Sequence, residues 1–479
     1  MYNPGMKPSL KTRFAPSPTG LMHFGNLRTA LFNYLYAERF QGIFLLRIED
    51  TDTARSEQIF SEAIKQDLSW LGLEWQEGPF FQSERQAIYQ EYYEQLVQSR
   101  RVYPCFCTEE ELAITRKVQM AAHQPPRYPG TCRRLSQAEI ELRQSRGMPS
   151  TLRFEVSDGQ TIGFEDVIKG KQQFDSSHIG DFIIRRQDGS ASFMFCNAID
   201  DALMGVTHAL RGDDHLTNTP RQILILQALG LSIPHYGHFP TILGPDSRPL
   251  SKRNGSRSLQ ELRENGFLPL GILNYLSRLG HHDPDLSLLS LATLAEHFDL
   301  ARISSSPAHY DVAQLNHWQK EAMHHCSWET CWDLLPDTVK KRVPPNPELR
   351  QKFIEAIQPN LVMPAEALPL AEAIFNEKLS FSPAISKVLE EAGVEFFNVA
   401  LKYLEEDLEV TYSSLITHLQ QITGLKGKAL FFPLRAALMG DLHGPEIAKI
   451  LDLMGQEKVK SRFREVIVLL KESKHATNL

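Results

Sequence analysis

Arg13-Phe-Ala-Pro-Ser-Pro-Thr-Gly-Leu-Met-His-Phe-Gly-Asn-Leu-Arg28 is the stretch from which the rest of the chain is read. A short strand over Thr12–Ala15 runs into a loop broken by Pro16, Pro18 and Gly20, and a helix opens near Gly25 and reaches about Phe40. Leu27, Leu31, Phe32, Leu35 and Tyr36 recur at helical spacing, and Gly42 ends the pattern. A second strand, Ile43–Ile48, delivers Glu49, Asp50 and Asp52 to its carboxyl end. Strand, loop, helix and strand in this order pair the strands in parallel, with a ligand outside their carboxyl ends. The helix start presents unpaired N–H groups and the positive end of its dipole, and His23 can donate to the same anion, which points to phosphate. A structural turn with a surface histidine is the commoner meaning of a lone His-x-Gly.

A second stretch alters that weighting. Pro249-Leu-Ser-Lys-Arg-Asn-Gly255 follows a strand-like run, Phe239–Leu243, and a Gly-Pro turn. His-x-Gly-Asn early in a mononucleotide-binding unit, with Leu-Ser-Lys-Arg in a later loop, resembles the paired signatures of class I aminoacyl-tRNA synthetases. The strings Arg-Phe-Ala-Pro-Ser-Pro-Thr-Gly, Leu-Arg-Ile-Glu-Asp-Thr-Asp and His-Ala-Leu-Arg-Gly-Asp-Asp-His-Leu are similar to those of the glutamyl-tRNA synthetase family, and the resemblance runs from about residue 12 to about residue 470. It implies an α/β protein: a Rossmann-like parallel-sheet catalytic domain with an inserted α+β acceptor-stem domain, followed by all-α stem-contact and anticodon-binding domains. The expected boundaries are residues 1–103 and 191–245 for the two catalytic halves, 104–190 for the insertion, 246–325 for the stem-contact domain and 326–479 for the helical anticodon-binding region.

Composition agrees with that organisation. The chain has 479 residues, 42% apolar and 23% charged, which is too long for one core and contains no apolar run near the length of a membrane helix. Met1 to Lys11 lack the apolar centre of a signal peptide, so a cytoplasmic protein is expected. A net charge of -7 argues against a generally basic RNA-coating protein, so any RNA-binding face must be local. Lys and Arg cluster around Arg127–Arg153 and Lys426–Lys474; such runs are more often solvated faces.

Farther along, an amphipathic helix from about Ser56 to Leu71 is expected to turn Ile59, Ala63, Leu68 and Leu71 inward, and a further helix spans Gln86–Ser99. The strand-helix rhythm breaks over Pro104–Ser190 and returns at Phe193–Ile199 and Val206–Arg211. A helix over Thr219–Leu229 is signalled by Asn218-Thr-Pro, a cap followed by proline. From about Leu259 strand signals nearly vanish, and helical patterns are broken at Val343-Pro-Pro-Asn-Pro, Met363-Pro and Gly424-Leu-Lys-Gly.

The resemblance implies ATP-dependent formation of glutamyl-adenylate and transfer of glutamate to the terminal adenosine of a tRNA, with Mg2+ accompanying ATP. Negative charge accumulates on the phosphates in such a step, so positioning and preorganised positive dipoles are the main requirement. His23, Gly25 and Asn26 fit the α-phosphate side; Ser251 and Lys252 fit the β- and γ-phosphates; Ile242 and Leu243 complete the expected ATP site. His23 and Lys252 are the expected catalytic pair. By resemblance Arg13 and Arg211 read the glutamate side chain, Glu49 holds its amine, and Ala15, Ser17 and Phe193 lie beside it. Guanidinium groups suit a carboxylate because they bind it through two parallel hydrogen bonds. The bland alternative for each is a surface ion pair of little worth.

Several positions depart from the family pattern. Pro249 stands where the phosphate loop usually begins with lysine, Asn254 where a histidine is usual, Phe193 where tyrosine is common, and Met194 in place of asparagine. Cys105-x-Cys107 with Cys132 resembles a zinc knuckle, but Arg134 occupies the histidine position. Tyr128 and His123 are the available substitutes, and the reading favours three thiols left from a lost site over bound zinc. Lys426, Lys428 and Arg435 are expected phosphate contacts on tRNA, whereas Phe431, Phe432 and Leu434 read as core. Asn360 stands where relatives that accept only tRNA(Glu) carry an arginine for the anticodon's last base, which implies that tRNA(Gln) is accepted as well. The expected partners are therefore tRNA, L-glutamate and ATP, with no DNA and no membrane, in a monomer. A glutamyl-queuosine enzyme would stop before the helical region, and a glutaminyl enzyme would carry β-barrels there. A non-catalytic RNA-binding paralogue is the rival of a different class.

Overall fold

The computed structural model describes residues 9–51, 57–124, 126–406 and 410–476, apart from the side chains of Lys252 and residues 474–476. Asp52 and the side chain of Lys252, both singled out from the sequence, lie outside the described residues. Strand β1 (Lys11–Phe14) runs parallel to β2 (Ile43–Ile48), with Arg13 opposite Leu45. Helix α1 (Phe24–Arg39) joins them and buries Phe24, Leu27, Leu31, Phe32 and Leu35, while Tyr36 is half-buried. Gly42 has a steric reason: a Cβ there would lie 2.3 Å from the Leu10 carbonyl oxygen.

Helix α2 (Gln58–Leu71) buries Ile64, Leu68 and Leu71, but Ile59 is 67% exposed and Ala63 only half-buried. The expectation for Ile59 is wrong because nine positions are two and a half helical turns, so Ile59 faces away from Leu68. Strand β3 (Glu77–Phe81) adds to β2 in parallel, and α3 (Gln86–Gln98) follows.

The insertion contains an antiparallel sheet of β4 (Val102–Cys105), β5 (Thr151–Phe154) and β8 (Phe182–Arg185). Within it lie α4 (Glu109–Ala121), α5 (Gln137–Ser145), the hairpin β6 (Thr161–Asp166) and β7 (Gly170–Asp175), and the single turn α6 (Ser176–Ile179). Phe193–Leu203, which includes the segment expected to resume the strand rhythm, is helix α7. Its apolar run is a buried helix, a distinction that periodicity over seven residues cannot make. Strand β9 (His208–Gly212), α8 (Thr219–Leu229) and β10 (His235–Phe239) complete the second half, with β9 and β10 parallel. Asn218 does not cap α8 through its side chain; a 3-10 turn, Asp213–Asn218, leads straight into the helix, and the Asn218 amide bonds to His215 instead.

Thr207 N–H donates to Lys11 O at 2.9 Å, setting β9 beside β1. The two parallel groups thus meet where the chain reverses its direction of winding, the usual site of a ligand crevice. The insertion also reaches this sheet, because β6 pairs with β10 in parallel at Asp166 and Tyr236. The short strand β11 (Ile242–Leu243) pairs with β12 (Ala308–His309).

Contacts divide the chain into one unit of Met1–Arg263 with Ile272–Gln314 and a second of Glu264–Gly271 with Leu315–Leu479. The chain thus passes between the two units after Arg263, Gly271 and Gln314. No strand occurs among the described residues of the second unit. Its helices include Pro347–Ile357, Ala367–Phe375, Tyr412–Thr423, Lys428–Met439, Ile447–Met454 and Gln456–Ala476. They pack around Phe353, Ile374, Phe397, Leu434 and Phe463. The predicted breaks fall between helices, and Gly424 ends one of them in the left-handed conformation.

Candidate active site

A cavity of about 790 Å³ opens at the carboxyl ends of β1, β2 and β9. Arg13, Ala15, Ser17, His23, Gly25, Asn26, Glu49, Phe193, Arg211 and Ile242 line it, so ten of the expected small-molecule contacts converge. Pro16 O accepts the Glu49 N–H at 2.9 Å, which ties the loop after β1 to the end of β2. His23 caps α1: its Nδ1 accepts the Gly25 N–H at 3.1 Å, and Asn26 Oδ1 accepts the His23 N–H at 3.5 Å. An accepting Nδ1 assigns the proton of the neutral ring to Nε2. The helix start, with the Gly25 backbone unshielded by a side chain, is suited to an anion.

Four buried charges alternate beneath the cavity. Asp201 accepts from Arg13 Nε at 3.0 Å and from Arg47 at 2.8 Å, and Arg47 reaches Glu49 at 3.1 Å. Burial works against the Arg47 cation, but Asp201 and Glu49 more than offset it and hold its pKa above the ordinary range. Burial likewise opposes the Asp201 carboxylate, yet Arg13 and Arg47 bring its pKa down. Burial raises that of Glu49 despite Arg47 and the Asn197 amide, which donates to Glu49 Oε1 at 2.6 Å.

Arg211 is different. Its nitrogens donate to His238 Nε2 at 3.2 Å, Asn197 Oδ1 at 3.4 Å, Thr219 Oγ1 at 2.8 Å and Gln222 Oε1 at 2.7 Å, all neutral acceptors. No carboxylate among the described residues pairs with it. Burial lowers its pKa to about 10, so it remains a cation at neutral pH. Arg47, Asp201, Asn197, Gln222, Thr219, Asp166 and His238 are site residues that the sequence reading missed. For part of this set a signal existed: Asn197, Asp200 and Asp201 interrupt an apolar helix at helical spacing.

The remaining expected residues lie at the edge or beyond it. Leu243 and Ser251 do not line the cavity, although Pro249 and Leu250 do. The Ser251 hydroxyl donates to Asn254 Oδ1 at 3.1 Å, and Asn254 also donates to Asp246 at 2.9 Å and to Pro249 O at 3.1 Å. Asn254 therefore closes the turn in place of the usual histidine.

Residues 9–317 match a family model described as tRNA synthetases class I (E and Q), catalytic domain, and residues 330–467 match an anticodon binding domain. A glutamate–tRNA ligase 2 of Nitrosococcus oceani is 52% identical over 96% of this chain and 99% of its own. The chain belongs to the glutamyl-tRNA synthetase family. A glutamate–tRNA ligase 1 of Halorhodospira halophila is 48% identical over 97% of this chain and 98% of its own. The crystal structure of a glutamate tRNA ligase from Elizabethkingia meningosepticum, in complex with its amino acid, superposes with a TM-score of 0.85 at 28% identity, covering 96% of this chain and all of that one.

This glutamyl-tRNA synthetase family member also gathers its three insertion cysteines. The sulfurs of Cys105, Cys107 and Cys132 lie within 4.8 Å of one another, Cys107 and Cys132 at 3.6 Å. Of the two substitutes for the missing histidine, the fold brings in Tyr128, whose hydroxyl is 3.4 Å from the Cys105 sulfur and 3.7 Å from that of Cys107. Three sulfurs of the type that ligates zinc converge in this way, with the Tyr128 phenol at the fourth position, and a zinc held there would be structural. Burial opposes ionisation of Cys105, but hydrogen bonds from Tyr128 and Arg153 bring its pKa down to about 7; burial pushes Cys107 up to about 12.

In the second unit, Lys426, Lys428 and Asn360 are exposed. Arg435 is instead half-buried and donates to the Pro445 carbonyl, so it holds the turn after its own helix. Leu434 is core as expected, whereas Phe431 and Phe432 are only half-buried. Gln358 anchors the Asn360 turn through Met323 O at 2.6 Å and Cys326 O at 2.8 Å. No helix of the described residues is long and apolar enough to cross a membrane.

Proposed function

We propose that this chain is a glutamate–tRNA ligase, which activates L-glutamate with ATP, entering as its magnesium complex, and transfers the glutamyl group to the 3′-terminal adenosine of tRNA(Glu). The observation that carries the site assignment is Arg211, a buried guanidinium at the cavity wall held only by neutral acceptors. With no carboxylate among the described residues on its donors, its charge calls for an anionic ligand, and Glu49 in the same cavity offers an anion for an ammonium group. A ligand with one carboxylate for Arg211, one ammonium for Glu49 and a second carboxylate directed at the start of α1 is an acidic amino acid.

In this reading Arg211 and the remaining N–H groups of Arg13 bind the side-chain carboxylate, and Glu49 binds the α-ammonium. The α-carboxylate then attacks the α-phosphate of ATP, held near His23 Nε2–H and the α1 N-terminus, while pyrophosphate leaves toward Ser251 and Lys252. Fixing the two reactants in line accounts for most of the acceleration such a site can give. A hydroxyl of the terminal adenosine next attacks the acyl carbonyl, and AMP leaves. Exposed Asn360, where an arginine would discriminate, supports acceptance of tRNA(Gln) as well.

Charging with labelled glutamate, run with tRNA(Glu), tRNA(Gln) and no RNA beside a Lys252→Ala control, tests both statements. Charging that disappears in the control is expected. Refusal of tRNA(Gln) would end the relaxed-specificity reading alone; failure with both tRNAs, binding being intact, would leave an RNA-binding paralogue.

A further inference from the structure

Arg211 and His238 are cross-strand partners on β9 and β10, directly opposite one another. Arg211 Nε donates to His238 Nε2 at 3.2 Å, and His238 Nδ1 lies 2.5 Å from Asp166 Oδ2. Asp166 comes from the insertion, at the end of β6. Its other oxygen is fixed by three backbone N–H groups, those of Lys169 at 2.8 Å, Ile168 at 3.0 Å and His238 at 3.3 Å. Asp166, His238 and Arg211 are 1%, 0% and 5% exposed. With Asp166 anionic, the Nδ1 proton points at the carboxylate and Nε2 is left as an acceptor, the tautomer that Arg211 requires.

We propose that His238, oriented by Asp166, is a positioning residue for glutamate recognition: it fixes Arg211 through a neutral acceptor and leaves the guanidinium charge available to the substrate carboxylate. The physical logic lies in the separation. A carboxylate in direct contact would take Arg211 in a two-pronged pair and compete with the substrate. One imidazole further away, Asp166 stabilises the cation by its field and dictates the imidazole proton, but occupies none of the guanidinium's donors. Asp201 makes the opposite arrangement with Arg13, so the two arginines are not equivalent. The inserted segment thereby takes part in the amino-acid site as well as in its own sheet. This inference rests on the assignment of Arg211 to the glutamate side chain.

The test compares wild type with Asp166→Asn, His238→Asn and His238→Gln as full-length proteins, measuring KM for glutamate and for ATP at saturating tRNA(Glu). In D166N the new amide, placed against Nδ1, would donate and force the wrong tautomer. H238N keeps a polar group near the position of Nδ1 but offers no acceptor to Arg211; H238Q carries an oxygen near the position of Nε2. We expect the glutamate KM to rise about tenfold or more in D166N and H238N, the loss of a hydrogen bond to a charged group. The ATP KM should stay within about twofold, and H238Q should recover most of the glutamate KM. Equal rises for both substrates, or H238Q no better than H238N, would overturn the proposal. If H238N fails to fold by circular dichroism, the glutamate-against-ATP split in D166N decides alone. Wild type that charges no tRNA with glutamate would instead remove the functional reading underneath.

Discussion

Asp201 grips Arg13 along its edge, with one carboxylate oxygen 3.0 Å from Nε and the other 3.2 Å from a terminal nitrogen, both side chains being almost excluded from solvent. The same carboxylate serves Arg47, so Asp201→Asn would leave two buried cations facing a neutral amide. Breaking a buried pair from one side costs roughly 3–5 kcal/mol. Urea unfolding should show a loss of that order, and the glutamate KM should rise about tenfold as Arg13 loses its orientation. Unchanged stability would mean that Arg13 and Arg47 repack onto other acceptors.

Phe193 lines the cavity and stacks on His215 at 5.0 Å between ring centroids. Phe193→Tyr should add one hydrogen bond to the bound amino acid, about 0.5–1.5 kcal/mol. The glutamate KM is expected to fall about two- to tenfold with the ATP KM unchanged. Steady-state charging kinetics will show whether the departure from tyrosine weakens the site.

Asp67 on α2 is 3% exposed and its Oδ2 has no hydrogen-bond partner. Burial raises its pKa to about 6, with Arg263 opposing. The folded state therefore holds its proton more tightly than the unfolded one, and stability falls as pH rises from about 4 to 6, then levels off. Asp67→Asn should be more stable than wild type by about 1–2 kcal/mol at pH 7.5 and no different near pH 3. Thermal melts of both proteins at the two pH values will show it.

Chelator-treated protein should bind one zinc through Cys105, Cys107, Cys132 and Tyr128, releasing protons as the thiols ionise. Zinc is expected to protect these thiols from alkylation, and Tyr128→Phe to weaken that protection about tenfold or more, the order of effect of a lost ligand-shell partner. Alkylation rates indifferent to zinc would return the cluster to three surviving thiols.

Much of the fold is legible because its signals are local. The strand bounds Ile43–Ile48 follow from an apolar run that begins just after Gly42, which ends the helical pattern, and the helix bounds Thr219–Leu229 from the proline at its first turn. The misses have equally definite causes. Apolarity alone turns Ile59 inward, without regard to its angular position, and Phe193–Ile199 lies in an apolar run too short for periodicity to separate strand from buried helix. Arg435 reads as an RNA contact by its charge, whereas its surroundings make it a clamp on Pro445.

The amino-acid sequence by itself determined the helix start at His23, the parallel unit, the change to an all-helical second half and the family, because backbone propensities and contiguous motifs are encoded over neighbouring residues. Which charges meet was decided only in three dimensions. Arg13 and Asp201 are 188 positions apart, and His238 and Asp166 are 72 apart. Nothing in either linear neighbourhood says that one arginine will be neutralised by a carboxylate and the other left cationic. Desolvation makes that difference, and it acts only after strands and insertion have closed around the pairs.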